Sequence, residues 1–461
     1  MVPTGKSSKM IPGYRSFAIR IGRLTLGGNS PVRIQSMAST DTNDVQASVE
    51  QCRRMIAAGA ELVRLTTQGR REVKNLELIR KMLREEGLEI PVVADIHFKA
   101  GLALKAARVV DKIRINPGNY LRDNSVDMAL SELISVCKEE ECCLRIGVNH
   151  GSLNESILQT YGDTPEGMAE SAMQFLRICQ AQNFKRVVVS LKSSNPRVMV
   201  QSVRLLVWKM LREDMSYPLH LGVTEAGDGV EGRIKSAVGM APLLLEGLGD
   251  TLRVSLTEAP ENELPVARNL CELFPKPVEL PYSPFQDLAW DPFNFQWRKP
   301  GSLKIISPEP PDPELDLTPD RIHSRTVSFE AWEKDPGLLR SGNNFLFLEG
   351  DQQGIQELKY SLNRFCKEEK KAPVLYKTVH QTADPELFMM QLAGELGFFL
   401  IDGAVDAIWV DNPMLETRQI NEILLKILQA AGARITQTEY IACPSCGRTQ
   451  FDILSRLKEI R

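Results

Sequence analysis

The chain has 461 residues, 43% hydrophobic and 25% charged, the balance of a soluble protein with room for several sizeable cores. Its 56 Lys and Arg against 59 Asp and Glu leave a formal charge of −3, so charge alone gives no reason to expect a nucleic-acid or membrane-surface binder. The longest apolar run, Leu387 to Val410, is broken by Glu395, Asp402 and Asp406, and the N-terminal stretch MVPTGKSSKMIPGYRSFAIR lacks the apolar segment of a secretion signal. The expected location is cytoplasmic.

In chain order, short β-branched runs occur at Val32–Met37, Glu61–Thr67, Pro91–Phe98, Lys112–Asn116, Leu144–Asn149, Val187–Lys192, Leu219–Thr224 and Leu252–Thr257. Helical periodicity separates them, as in Asp44–Ala58, Gly167–Gln182 and Gly232–Glu246. Alternating strand and helix predicts parallel βαβ units, and eight of them predict an α/β protein with a (β/α)8 TIM barrel over 15–280. An open doubly wound sheet is the competitor, and the eight runs argue against it. From Pro275 the sequence is proline-dense and aperiodic, the texture of a linker or domain edge. Patterning resumes near Thr326, with helix-like Gln356–Cys366, Pro385–Leu396 and Leu415–Ala430 and strand-like Ala372–Tyr376 and Ala407–Val410. This predicts a second α/β domain over 285–435. His323 and His380 are isolated within it and read as surface or capping residues. The remaining piece, 436–461, is too short for a core of its own.

Cations punctuate the barrel strands: Arg64 in LVRLTT, Arg114 in KIRINPGN, Arg145 in LRIGVNHGS, Lys192 in VVVSLKSS and Arg253 in LRVSLT. They could simply flank strands at the surface. Inside a barrel, however, unpaired cations cost several kcal/mol each, so five on five strands call for carboxylate partners or a shared anion. Arginine's planar fork binds two phosphate oxygens at once, which points to a phosphorylated substrate. Asp95, His97, Asn116, Asn119, Asn149, His150, Ser152, Thr224, Glu225 and Ser255 follow the same strand ends. Gly118, Gly147, Gly151, Gly222 and Gly227 let the backbone turn or approach a ligand there. Glu225 could move protons or neutralise a cation.

Seven of the nine cysteines read as scattered small residues, and only Cys443 and Cys446, in ACPSCGRT, have a spacing that asks for chemistry. Zinc, a redox pair and an iron–sulfur cluster are all open on spacing alone.

Taken together, VRIQSM, LVRLTTQGRREV, VADIHF, KIRINPGNY, RIGVNHGSL, LHLGVTEAGDGVEGRIKSAVG, EGLGDTLRVSLTEAP and YIACPSCGRTQFD resemble the 4-hydroxy-3-methylbut-2-en-1-yl diphosphate synthases of the methylerythritol phosphate pathway to isoprenoids. The likeness covers about residues 15–275 and 436–453, and the 285–435 segment resembles the insert of the three-domain form. The resemblance implies reductive ring opening and dehydration of 2-C-methyl-D-erythritol 2,4-cyclodiphosphate. It implies a 4Fe–4S cluster with Cys443 and Cys446 as two of its metal ligands, and reduced ferredoxin or flavodoxin as electron donor. It places substrate diphosphate at the barrel mouth, consistent with Arg64, Arg114, Arg145, Lys192 and Arg253; Asp95, Asn116, Asn149, Ser152, Thr224 and Ser255 are the further substrate-binding candidates, with Glu225 and His97 as catalytic candidates. A homodimer is compatible with it. The family's third cysteine and a glutamate lie in a downstream glycine-rich motif that is not in this sequence. The expectation is therefore a truncated cluster domain over 436–461, in a chain that binds the cyclodiphosphate without holding a stable cluster. Two alternatives are a pteroate-synthase-like barrel transferase and a non-catalytic cyclodiphosphate binder. The 285–435 domain is expected to act as a spacer.

Overall fold

The computed structural model describes residues 11–12, 14–96, 100–120, 126–277, 279–280, 303–322, 325–339, 344–350, 354–368, 372–439, 441 and 447. His97, His323, Cys443, Cys446 and the helix-like 451–460 lie outside them. The chain divides into two compact units. One comprises Tyr14–Ser236, Leu248–Glu272 and Tyr440–Arg461; the other comprises Met1–Gly13, Ala237–Gly247 and Leu273–Glu439.

The first unit is a parallel barrel. Its strands are β1 (Arg33–Met37), β2 (Leu62–Thr67), β3 (Val92–Ile96), β4 (Lys112–Ile115), β5 (Cys143–Asn149), β6 (Val187–Lys192), β7 (His220–Leu221) and β8 (Thr251–Leu252). They are hydrogen-bonded in the order β7-β8-β1-β2-β3-β4-β5-β6, and a parallel bridge between Val189 and Leu219 joins the two ends. The last two strands are far shorter than their apolar runs suggest.

Helices between the strands start where the sequence supplies caps. Asp44 accepts the Ala47 N–H at 3.0 Å before the helix Val45–Ala57. Thr164 and Asn195 cap helices that carry proline in the first turn, where no N–H is needed.

A short antiparallel hairpin, Ile19–Ile21 with Leu24–Leu26, precedes β1; the sequence reading passed over it. Its turn uses Gly22 at φ +57°. Ile19, Ile21 and Leu26 form one core with Leu62, Val93, Cys143 and Val188. These are inward residues at the N-terminal ends of β2, β3, β5 and β6, so the hairpin plugs that end of the barrel. Asp250 accepts the Ser16 hydroxyl and the Leu219 N–H, each at 2.8 Å, and so ties the hairpin's approach to β7.

The second unit is built on a five-stranded parallel sheet of β9 (Lys304–Ile306), β10 (Thr326–Ser328), β11 (Phe345–Gly350), β12 (Val374–Val379) and β13 (Ala407–Asp411), ordered β9-β13-β12-β11-β10. The three-residue β9 lies in the proline-dense segment and was not legible there. The helix Pro385–Leu400 is buried on nearly every face. Gly397 lets it close on Val238, whose Cα would stand 2.9 Å from a Cβ at that position. Lys359 is fully buried, paired with Asp402 at 2.6 Å and donating to the Phe398 carbonyl at 2.7 Å. His380 corrects an expectation: its side chain is 9% exposed and stands 3.3 Å from the buried Glu395, so it is an interior partner rather than a surface residue. No described helix is long and apolar enough to cross a membrane.

Candidate active site

Alternate residues of a barrel strand face the axis. Above the apolar plug, that inward set is polar and cationic. It includes Gln35 on β1, Arg64 on β2, Asp95 on β3, Lys112 and Arg114 on β4, Arg145 on β5, Ser190 and Lys192 on β6, His220 on β7 and Thr251 on β8, with Arg253 just beyond. All are buried. The cations predicted at strand ends therefore come largely from within strands: Arg145 is only the third residue of β5. They form the floor of the site as well as its mouth.

Asp95 gathers two of them. Its carboxylate meets Arg64 Nη2 at 2.6 Å and Arg114 Nη1 at 3.3 Å, while Arg114 Nη2 donates to the Gly147 carbonyl at 2.9 Å. Glu263, on the helix Pro260–Leu273, accepts Arg253 through both oxygens, at 3.1 and 3.2 Å. Burial raises the Glu263 carboxyl above its ordinary value, outweighing the opposing pull of Arg253. Lys112 donates to Gln35 Oε1 at 2.9 Å.

Arg145 and Lys192 are different. Arg145 is 1% exposed, and its Nε and Nη1 have no hydrogen-bond partner among the described residues. The Lys192 ammonium makes no hydrogen bond or ion pair with a described residue. Burial drives both well below their ordinary values, and the neighbouring guanidiniums add to the effect. Burial also lowers Arg64 to about 10 and Lys112 to about 7. Among the described residues named here, two carboxyl groups thus face six buried basic side chains, an imbalance that favours an anionic neighbour.

Two glycines make room for this set. A Cβ at Gly222 would stand 2.6 Å from Lys192 Nζ, and one at Gly147 would stand 2.7 Å from Arg114 Nε. At the rim, Asn116 Nδ2 donates to Ser152 Oγ at 3.0 Å, and Ser152 Oγ to the Asn149 carbonyl at 3.1 Å. Gly118 permits that meeting, because a Cβ there would overlap the Ser152 carbonyl. Glu225, in the loop after β7 beside Thr224, holds φ at +52°, a left-handed backbone that non-glycine residues adopt mainly where structure imposes it. Ser255 is buried beyond β8. Asn119 lies on the helical turn Pro117–Tyr120. His150 points away, to the exposed Asp163 at 3.6 Å.

Lys112, Gln35, Glu263 and His220 were missed as site residues. Lys112 had a signal, since it stands two residues before Arg114 on the same strand face. Glu263 had none, because its pairing with Arg253 depends on how the following helix folds back.

The seven described cysteines do not supply a cluster site. Cys52, Cys143, Cys179 and Cys271 have thiols pushed by burial up to about 12, which disfavours the thiolate a metal needs. Among the described residues no three metal-ligating side chains converge. Gly447, next in sequence to Cys446, lies against the loop after β1, where a Cβ would come within 2.4 Å of the Thr40 carbonyl oxygen.

The fold defines a class: a (β/α)8 barrel whose interior carries buried cations at and below the carboxyl ends of its strands. Residues 16–268 match the family model of the GcpE TIM-barrel domain. A relative from Phocaeicola vulgatus is 37% identical over 97% of this chain and 86% of its own length; one from Parabacteroides distasonis is 37% identical over 96% and 87%. A third, from Leptospira interrogans, is 32% identical over 96% and 86%. All three are named 4-hydroxy-3-methylbut-2-en-1-yl diphosphate synthase (flavodoxin). The chain belongs to the GcpE family.

Proposed function

We propose that the barrel binds 2-C-methyl-D-erythritol 2,4-cyclodiphosphate and takes part in its conversion to 4-hydroxy-3-methylbut-2-enyl diphosphate, a step of isoprenoid biosynthesis. The observation that carries this is the cationic interior, in which the buried Arg145 has Nε and Nη1 without a partner among the described residues and Lys192 lies buried near it. Overall, two electrons and two protons enter, a ring C–O bond to phosphate breaks, and a hydroxyl leaves as water. A cyclic diphosphate carries one ionised oxygen per phosphorus, and ring opening frees a further phosphate oxygen. The fixed cations therefore attract the opened form more strongly than the ring, which favours bond breaking over mere binding. Asp95 and Glu263 hold three guanidiniums in place without neutralising the set. Asn116, Asn149, Ser152, Thr224 and Ser255 orient the ligand at the rim. Glu225 and His97 are the residues we assign to bring a proton to the departing hydroxyl oxygen.

A 4Fe–4S cluster with Cys443 and Cys446 as two of its thiolate ligands would supply the electrons, received from reduced flavodoxin. The contact of Gly447 with Thr40 supports this, because it holds the chain beside Cys446 to the carboxyl-end loops of the barrel. The domain division we propose is a substrate barrel over 15–280, a spacer over 285–435 and cluster-ligating residues from 436. A pteroate-type transfer would use the barrel but leave the Cys-Pro-Ser-Cys segment without a role.

The test is calorimetric titration of the 461-residue chain with the cyclodiphosphate and with the linear product. Binding of both, tighter for the linear product, is expected; a chain that binds neither overturns the reading.

A further inference from the structure

At the N-terminal end of the barrel, a cleft of about 640 Å3 opens beside the hairpin, among the turns that lead into β3, β4, β5 and β6. That volume lies within the range of small-molecule sites. Pro91, Asp111 and Arg186 directly precede β3, β4 and β6, and Glu141 stands two residues before β5. Arg20 comes from the hairpin strand Ile19–Ile21, whose alternation turns Ile19 and Ile21 into the plug and Arg20 outward. Gly22 lets the hairpin turn close on the same wall, since a Cβ there would stand 3.2 Å from Asp111 Oδ1 and 3.6 Å from Pro91. Arg80 and Arg84 reach the cleft from successive turns of the helix Arg70–Glu85.

Six arginines line the cleft against four carboxylates. Each carboxylate has an arginine of its own: Glu89 pairs with Arg23, Asp111 with Arg80, Glu140 with Arg108 at 3.0 Å, and Glu141 with Arg186 at 2.8 Å. Asp111 is committed to the fold, because it also accepts the Val92 N–H at 2.9 Å. The Glu141 carboxyl is held below its ordinary value first by Arg186 and then, more weakly, by Arg20. Arg20 and Arg84 are exposed and form no ion pair with a described residue. The N-terminal face of such barrels ordinarily serves stability, and the four ion pairs fit that role. Two further arginines at the same hollow add repulsion and no pairing, so stability does not account for them. Arginine's planar fork suits phosphate oxygens, and Ile90, Pro91 and Val110 supply an apolar stretch of wall.

We infer that this cleft is a second binding site, for a small phosphorylated anion, with Arg20 and Arg84 holding its phosphate oxygens. The hairpin and the plug separate it from the cationic interior, so the inference does not rest on what binds at the carboxyl ends of the strands. The paired arginines at its rim add a positive field that their carboxylates only partly offset. Salt screens such exposed charges, so affinity falls as ionic strength rises.

The experiment titrates the full chain calorimetrically with inorganic diphosphate and with ADP, and maps phenylglyoxal-modified arginines by mass spectrometry with and without each probe. The double variant Arg20→Ser/Arg84→Ser is compared with Arg145→Met, which alters the barrel interior alone. The expected result is a class of sites that survives in Arg145→Met and weakens about tenfold in the double variant. Its occupation should shield Arg20 and Arg84 from phenylglyoxal. The double variant should melt as the parent does, because both side chains are exposed. Tighter binding of ADP assigns the apolar wall to an organic group; tighter binding of diphosphate assigns the cleft to the free anion. Identical titrations of the parent and the double variant overturn the proposal, as does unchanged labelling of Arg20 and Arg84 when both probes are saturating. Binding lost entirely in Arg145→Met places all of it in the interior and overturns the proposal too.

Discussion

Arg145→Met separates binding from stability in opposite directions. Arg145 is 1% exposed, has two guanidinium nitrogens without partners among the described residues, and is repelled by Arg64, Arg114 and Arg253. In the unliganded chain this charge is a liability. Methionine has a similar length, is uncharged and adapts to irregular space. Removing unmet donors is worth about 1–3 kcal/mol, so the variant should melt higher, by about 2–4 °C for each kcal/mol in a domain of this size. The same change deletes a charge-assisted hydrogen bond to the bound diphosphate, worth about 1.5–3 kcal/mol. That is a loss of roughly tenfold to a hundredfold in affinity, at about 1.4 kcal/mol per factor of ten. Calorimetry with the cyclodiphosphate and thermal circular dichroism measure the two halves on one preparation. A lower melting temperature together with unchanged affinity would refute the reasoning, because Arg145 would then be supporting the fold and not the ligand.

Three further outcomes follow from the same geometry. Gly222→Ala places a methyl 2.6 Å from both Lys192 Nζ and the Arg253 carbonyl oxygen; the backbone cannot yield as a side chain can, so a stability loss of about 1–3 kcal/mol in a denaturant titration and weaker diphosphate binding are expected. Glu263→Ala strips the buried bidentate partner from Arg253 and should lower stability by about 3–5 kcal/mol in the same titration, whereas a loss within experimental scatter would mean that Arg253 finds another acceptor. Lys112 gives a pH dependence: below about pH 7 it is charged in both folded and unfolded chains and the full burial penalty applies, but between about 7 and 10.5 only the unfolded chain holds the proton. Stability should therefore rise with pH across that window relative to Lys112→Met, and parallel pH profiles of the two proteins would exclude Lys112 as the source.

The barrel was legible because each inward strand carries its own apolar run, and a parallel strand covered on both faces needs a continuous one. The last two strands are short in a way that sequence does not carry: their register pairs end at Leu221 and Leu252, with one further backbone bond from Arg253 N–H to the Leu221 carbonyl at 3.0 Å. The cations were legible as residues but not as levels. Period-2 alternation would have set Lys112 beside Arg114 and Gly222 above His220, and so shown a stack rather than a ring at the mouth. Glu263 was beyond reach, since its meeting with Arg253 and the Leu256 N–H, the latter at 3.2 Å, depends on a helix turning back over its own strand. In the second unit, β9 was hidden because three apolar residues among prolines carry no period. His380 looked isolated because Glu395, fifteen positions on, reaches it only through the fold.

The arrangement of charge explains why the interior is neither neutral nor merely basic. Full neutralisation would need a carboxylate for each cation, and a ligand anion would then have to displace one. With no carboxylates, the guanidiniums would repel one another into several orientations. Asp95, shared between Arg64 and Arg114, and Glu263, forked onto Arg253, fix three guanidiniums at two points and leave Arg145 and Lys192 unanswered between them. The apolar plug denies those two any relief from the N-terminal end, so the opening toward the strand ends is the direction from which an anion can answer them. Under the function we propose, binding a diphosphate offsets the burial cost of these cations. The relief should be larger for an opened diphosphate than for the ring, because the opened form brings another ionised oxygen to cations already in place. Under the function we propose, an interior built this way favours the charge that appears as the ring breaks.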